Sequence, residues 1–122
     1  MTSEEENLLG RLRQKVSQGD VEAEYEIAWR SDLGMGLPKD EALGLEFLLS
    51  AAAKGHVLAQ NNLGARYVSG EGVPVDLIEA YLWFHKAAEA GDRKAGKNRD
   101  SVLQQLDSTQ VEKLKARLSS AQ

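Results

Sequence analysis

Apolar residues recur along this chain at helical spacing in seven segments, separated by short polar or glycine-bearing breaks. Between residues 4 and 18, Leu8, Leu9, Leu12 and Val16 share one face, and the opposite face is charge and amide. Ser3, with Glu6 three residues on, has the spacing of a capping box, so a first helix is expected to open there and to end near Gly19. Residues 20 to 32 repeat the pattern with Ala23, Ile27 and Ala28 facing inward and Asp20 placed to cap. Residues 40 to 54 carry Leu43, Leu45, Phe47, Leu48, Leu49, Ala51 and Ala52 around much of a circumference, the mark of a helix wedged between neighbours. Residues 56 to 69 present Ala59, Leu63, Gly64 and Tyr67, and residues 76 to 90 present Leu77, Ala80, Trp83 and Ala87, with Trp83 expected in the core. Two further helices are expected over 92 to 106 and 108 to 120, split at Asp107-Ser108-Thr109, the last with Val111, Leu114 and Leu118 on one stripe.

The pattern repeats itself. Shifted by 36 residues without a gap, Gly19, Val21, Ala23, Arg30, Gly34, Gly36, Pro38, Asp40, Ala51 and Ala52 fall on identical residues at 55, 57, 59, 66, 70, 72, 74, 76, 87 and 88. The turn inside each copy, Gly34-Met35-Gly36-Leu37-Pro38 and Gly70-Glu71-Gly72-Val73-Pro74, has glycines where φ is expected to be positive, an apolar residue to plug the hairpin end and a proline before the next helix. Asp40 and Asp76 then stand where a carboxylate caps that helix. The fold class expected is all-α, a short solenoid of helix-turn-helix repeats forming a single domain over residues 1–122. It comprises an N-terminal capping helix (1–18), repeat 1 (19–54), repeat 2 (55–90) and a degenerate third hairpin with a C-terminal cap (91–122). Gly64 costs on the order of 1 kcal/mol of helix propensity, which predicts an element crossing too closely for a side chain. Repeat 1 has Ala28 there and Ser31 in place of Tyr67, so looser packing is expected in it.

Composition narrows the function. The chain of 122 residues has no cysteine, which excludes disulfides and thiol chemistry and favours the cytoplasm. Its acidic start lacks the charge and apolar run of a secretory signal, and the longest apolar stretch, residues 43 to 53, is too short to span a bilayer, so no membrane role is expected. Residues 1 to 32 hold eight Asp or Glu against four Lys or Arg, and residues 93 to 122 hold three against seven. This asymmetry can steer a partner or join chains head to tail. The basic excess is modest and lacks interleaved aromatics, so no nucleic-acid partner is expected. His56 and His85 have no metal-ligand spacing and read as solvated, and Glu22, Glu24 and Glu26 have nothing in sequence that predicts burial. With no nucleophile elbow, phosphate loop or metal signature, no catalytic residue, metal or cofactor is expected and the chain reads as a non-enzyme.

The motif Ala-x3-Leu-Gly-x2-Tyr-x2-Gly-x-Gly-Val-x2-Asp-x3-Ala-x2-Trp-x2-Lys-Ala-Ala-Glu-x-Gly, from Ala59 to Gly91, resembles the Sel-one-like repeat, a relative of the tetratricopeptide repeat. Repeat 1 matches in part, with Gly44, Phe47 and Ser50 in place of the usual Ala, Trp and Lys, and the absence of cysteine separates this chain from secreted bacterial members with a disulfide in each repeat. The resemblance implies a right-handed α-solenoid acting as a scaffold or adaptor that binds a protein or peptide. It also implies that the first helix of each repeat lines the concave face. With Leu63 and Gly64 turned to the core, Leu58, Asn61, Asn62 and Ala65 fall toward that groove. The 36-residue register carries the stripe to Glu22, Tyr25, Glu26 and Trp29 in repeat 1 and to Lys94, Lys97, Asn98 and Ser101 in the third hairpin. Tyr25 and Trp29 would anchor an apolar side chain of the partner, unless Trp29 packs under the N-terminal helix, and Asn61 and Asn62 would bond its backbone. A monomer or weak homo-oligomer is expected. A structural homo-oligomer joined through its charged ends is the alternative reading, and a hydrolase a more distant one.

Overall fold

A computed structural model describes residues 1–120. Among them it shows seven helices and no strand: α1 (Ser3–Ser17), α2 (Val21–Leu33), α3 (Glu41–Ala53), α4 (Val57–Ser69), α5 (Leu77–Glu89), α6 (Arg93–Gln105) and α7 (Ser108–Ser120). All the breaks fall where the hydrophobic pattern places them. The chain divides into two compact units, Met1 to Gln60 and Asn61 onward, with the division inside α4.

Helix starts follow from short side chains that accept orphan backbone N–H groups. Asp20 accepts from Ala23 at 3.1 Å, Asp40 from Leu43 at 3.0 Å, Asp76 from Ile78 and Glu79 at 3.1 Å, and Asp92 from Ala95 at 3.1 Å. The capping box of α1 is one residue earlier than Ser3 and Glu6: the Thr2 hydroxyl accepts from Glu5 N at 3.1 Å, and Thr2 N donates to Glu5 Oε1 at 2.7 Å. Both pairs have the required spacing, and the earlier one gains a further residue of helix. In both hairpin turns the paired glycines take left-handed φ, 71° and 77° at Gly34 and Gly36, 79° and 78° at Gly70 and Gly72. Leu37, buried at 2% exposure, plugs the first turn. The turns close with equivalent backbone bonds, Asp40 N to Ser31 O at 2.8 Å and Asp76 N to Tyr67 O at 2.9 Å.

In the first unit α1 lies on α2 and α2 on α3. Leu12, Ala23 and Ile27 form a buried cluster against which Leu8, Leu9, Val16, Leu43 and Phe47 pack, so the narrow stripe of α1 covers the apolar edge of α2. In the second unit α5 lies against α6 and α7, and Leu63, Ala80, Phe84, Ala87, Val102 and Leu114 are buried. The core aromatic of α5 is therefore Phe84 and not Trp83. Trp83 is half-buried, with the Lys86 ammonium 4.7 Å from its ring centroid. Phe84 extends the row of Ala80 and Ala87 at i, i+4 and i+7, and its flat ring occupies the space that Gly64 leaves open. A Cβ at residue 64 would stand 2.7 Å from Phe84 Cδ1 and Cε1. In repeat 1 a close approach is made instead at a small residue on the other helix. A Cβ at Gly44 of α3 would meet Ala28 O of α2 at 3.0 Å and Asp32 N at 3.2 Å.

Candidate functional site

The side chains placed by the 36-residue register fall into different local settings. Tyr25 is half-buried and stacks on His56, centroids 4.3 Å apart and planes at 24°. Trp29 is half-buried as well, with the Arg30 guanidinium 4.6 Å from its ring centroid. The two rings are therefore not an open aromatic patch: each has a face occupied by its own neighbour. Leu58, early in α4, is 57% exposed.

His56 is not a solvated surface residue. It occupies the capping position of α4 that Asp20 and Asp92 occupy before α2 and α6, and its Nδ1 accepts the Ala59 N–H at 3.1 Å. That bond fixes the tautomer, so Nε2 carries the proton and donates to Glu22 Oε2 at 2.9 Å. His85 is also engaged, accepting from Arg99 Nη1 at 3.3 Å and stacking on Tyr81. Glu24 corrects the carboxylate expectation: it is buried, and Oε1 accepts from Ser50 Oγ at 2.6 Å and Lys54 Nζ at 3.0 Å. The three groups join α2 to the end of α3, which is the work of a structural ion pair rather than of an acid–base pair.

In the second unit, Ala65 and Val68 of α4 and Asn98, Ser101, Val102 and Gln105 of α6 line a cleft of about 230 Å³ with Phe84 on its floor. Ala65, Asn98 and Ser101 belong to the stripe read from the register. Val68, Val102 and Gln105 continue it by i+3 and i+4 steps and were not singled out in the sequence. At the cleft Asn98 Nδ2 donates to Asn61 Oδ1 at 3.3 Å; elsewhere on α4, Asn62 Oδ1 accepts from Arg66 Nε at 3.1 Å. With its oxygen engaged by Asn98, the amide NH2 of Asn61 is the donor left for a ligand carbonyl. Lys94 and Lys97 are exposed on α6, one turn before Asn98 and Ser101 respectively. At the end of α4 that meets the turn into α5, burial first, and then the charges of Glu79 and Asp76, push the Tyr67 phenol above its ordinary value, so it remains a neutral hydroxyl near neutral pH.

A second depression, lined by Glu79, Leu82, Trp83, Lys86 and Arg117, has its charges already matched. Arg117 Nη2 donates to Glu79 Oε1 at 2.9 Å and Lys86 lies over Trp83. Among the described residues no group of His, Asp or Glu side chains is arranged to hold a metal ion, and no helix is long and apolar enough to cross a membrane.

Comparison with known proteins assigns the architecture. Two consecutive stretches, residues 21–56 and 57–92, match the family model of the Sel1 repeat and together make up more than half of the chain. The chain belongs to the Sel1 repeat family. Among solved structures it is similar to a Sel1 repeat protein from Oxalobacter formigenes, with 30% identity and a TM-score of 0.74 over 93% of this chain and 34% of that one. It is also similar to a protective antigen of uropathogenic Escherichia coli strains that displays an SLR fold, with 36% identity and a TM-score of 0.69 over 75% of this chain and 20% of that one. The chain thus spans about a third and a fifth of the lengths of these two neighbours. No curated protein matches it. The fold is that of an all-α helical-repeat solenoid, and proteins of the Sel1 repeat family are generally scaffolds for protein–protein interaction.

Proposed function

We propose that this chain is a cytoplasmic, non-enzymatic scaffold that holds an extended segment of a partner protein in the cleft between α4 and α6. The observation that carries the reading is the lining of that cleft: apolar Ala65, Val68 and Val102 lie beside the amide of Asn98, itself bonded to Asn61, and the polar ends of Ser101 and Gln105. A small number of placed polar groups around an apolar floor is what an extended chain requires, with apolar surface for a side chain and donors for its backbone carbonyls. The depression beside Trp83 is less suited, because its charged groups are satisfied within the chain. Tyr25 and Trp29 on α2, each with part of a ring accessible, and the exposed Leu58 belong to the first unit and form a separate candidate contact surface there. Ser101→Arg fills the cleft from an exposed position and leaves the core untouched. In affinity purification, partners held by the cleft should be retained by the parent chain and by Lys113→Ala on α7, and lost with Ser101→Arg. Equal recovery with all three chains would contradict the reading.

A further inference from the structure

The walls of the α4–α6 cleft differ in charge from what an average surface would carry. Helix α4 contains no Asp or Glu along its whole length, and α6 contains four basic residues, Arg93, Lys94, Lys97 and Arg99, against the single acid Asp100. Asp100 is already paired with Arg99, whose Nε lies 3.3 Å from Asp100 Oδ1. Arg93, Lys94 and Lys97 are exposed and have no carboxylate partner among the described residues. Lys94 and Lys97 continue, at helical spacing, the line of Asn98, Ser101 and Gln105 that forms the α6 wall. Two open ammonium groups therefore adjoin an apolar, amide-edged cleft that holds no free negative charge.

Resting on the cleft as the binding surface, we infer that the partner segment is acidic: a short extended stretch of protein with Asp or Glu beside an apolar residue. The apolar residue enters between Ala65, Val68 and Val102, and the carboxylates lie toward Lys94 and Lys97. From Lys94 to Gln105 the wall rises about 16 Å, which an extended segment covers with about five residues. Electrostatic complementarity of this kind sets partner choice and encounter rate, because a basic segment would be repelled from the same wall. A nucleic acid fits less well, since the aromatic side chain at the cleft, Phe84, is buried at 2% exposure and offers no face on which a base can stack.

The test is selection of short random-sequence peptides displayed on phage against the parent chain, Ala65→Arg, the double reversal Lys94→Glu with Lys97→Glu, and the control Lys113→Glu on α7. A random single-stranded oligonucleotide pool is run in parallel, and thermal melting verifies that each variant is folded. The expected result is enrichment of peptides combining Asp or Glu with an apolar residue. They should be lost with Ala65→Arg, weakened about tenfold or more by the double reversal, and unaffected by Lys113→Glu. Neutral or basic peptides that depend on Ala65 and ignore the lysines would overturn the acidic class and leave the cleft standing as a binding surface. Peptides indifferent to Ala65→Arg would overturn both. Oligonucleotide binding that requires Lys94 and Lys97, with no peptide selected, would replace the protein partner by a nucleic acid.

Discussion

The hairpin of α2 and α3 and the hairpin of α4 and α5 carry the same pattern and fill it with opposite choices. In the first, the small residue is Gly44 on the second helix, pressed against the backbone of α2, and the positions facing one another in register are Ala28 and Leu48. In the second, the small residue is Gly64 on the first helix, beneath the ring of Phe84, and Ala80 takes the place of Gly44. What the repeat keeps is a filled interface and not a residue at a position, as close packing demands. The polar residues show a second contrast. Arg30 bonds Glu26 at 2.8 Å in α2, and one repeat later Arg66 bonds the neutral Asn62 at 3.1 Å. The same geometry without the carboxylate leaves α4 free of negative charge, whereas α2 carries Glu22, Glu24, Glu26 and Asp32.

Changes that exchange the two solutions should show which contacts matter. Gly64→Ala drives a methyl group into a core ring, and a loss of about 2 kcal/mol is expected after the helix-propensity gain is counted. Adding Phe84→Leu recreates the Ala28 and Leu48 pairing of the first hairpin, and the double variant should be more stable than the sum of the single effects by about 1 kcal/mol or more in a double-mutant cycle of chemical denaturation. Simple additivity would mean that the two hairpins do not share one packing rule. His56→Ala removes the cap of α4 and the ring that stacks on Tyr25, for a loss of about 1.5 kcal/mol. His56→Asp, which installs the cap used by α2 and α6, should recover part of that loss, limited by the nearby Glu22 carboxylate. Gly44→Ala meets backbone at 3.0 to 3.2 Å, a milder conflict that the propensity gain partly offsets, so about 1 kcal/mol is expected. Asn62→Glu copies the Arg30–Glu26 pair into α4 and should change stability by less than about 0.5 kcal/mol. It should nevertheless weaken binding of an acidic segment several-fold, as read by titration calorimetry.

The smallest expected effect is at the start of α1. The Thr2 backbone N–H, and then its side chain, hold the Glu5 carboxyl below its ordinary value of 4.5. A group with a depressed folded-state value contributes stability above its unfolded value and loses it as pH falls through the folded one. The capping box should therefore persist through pH 4.5 and open only below it. Following the Glu5 carboxyl by NMR should give a midpoint below 4.5 that rises toward it in Thr2→Ala.

Helix number, the breaks, the aspartate caps and the paired turn glycines were legible because each depends on residues within a few positions of one another. The remaining features depend on pairing between distant residues. Trp83 and Phe84 are adjacent and both aromatic, and the row of Ala80 and Ala87 together with the space over Gly64 takes Phe84 into the core. Glu24 reads as one of three alternating surface acids until Ser50 and Lys54 of α3 are placed beside it. A histidine cap has no short-range pattern comparable to the aspartates, and its partner Glu22 lies a full repeat earlier in the chain. Half of the cleft was visible as a register stripe through Ala65, Asn98 and Ser101. Val68, Val102 and Gln105 were not legible, because only the spacing of α4 and α6 brings them to one cleft.

The central claim is that the α4–α6 cleft is the surface through which this scaffold acts. Its most direct test is NMR mapping of the isotope-labelled chain titrated with a partner segment recovered by affinity purification. The account predicts that the perturbed amides cluster at Ala65, Val68, Asn98, Ser101, Val102 and Gln105, with Lys94 and Lys97 shifting alongside them. Perturbation confined to α7 or to the turn at residues 70 to 75, with the cleft silent, would contradict it.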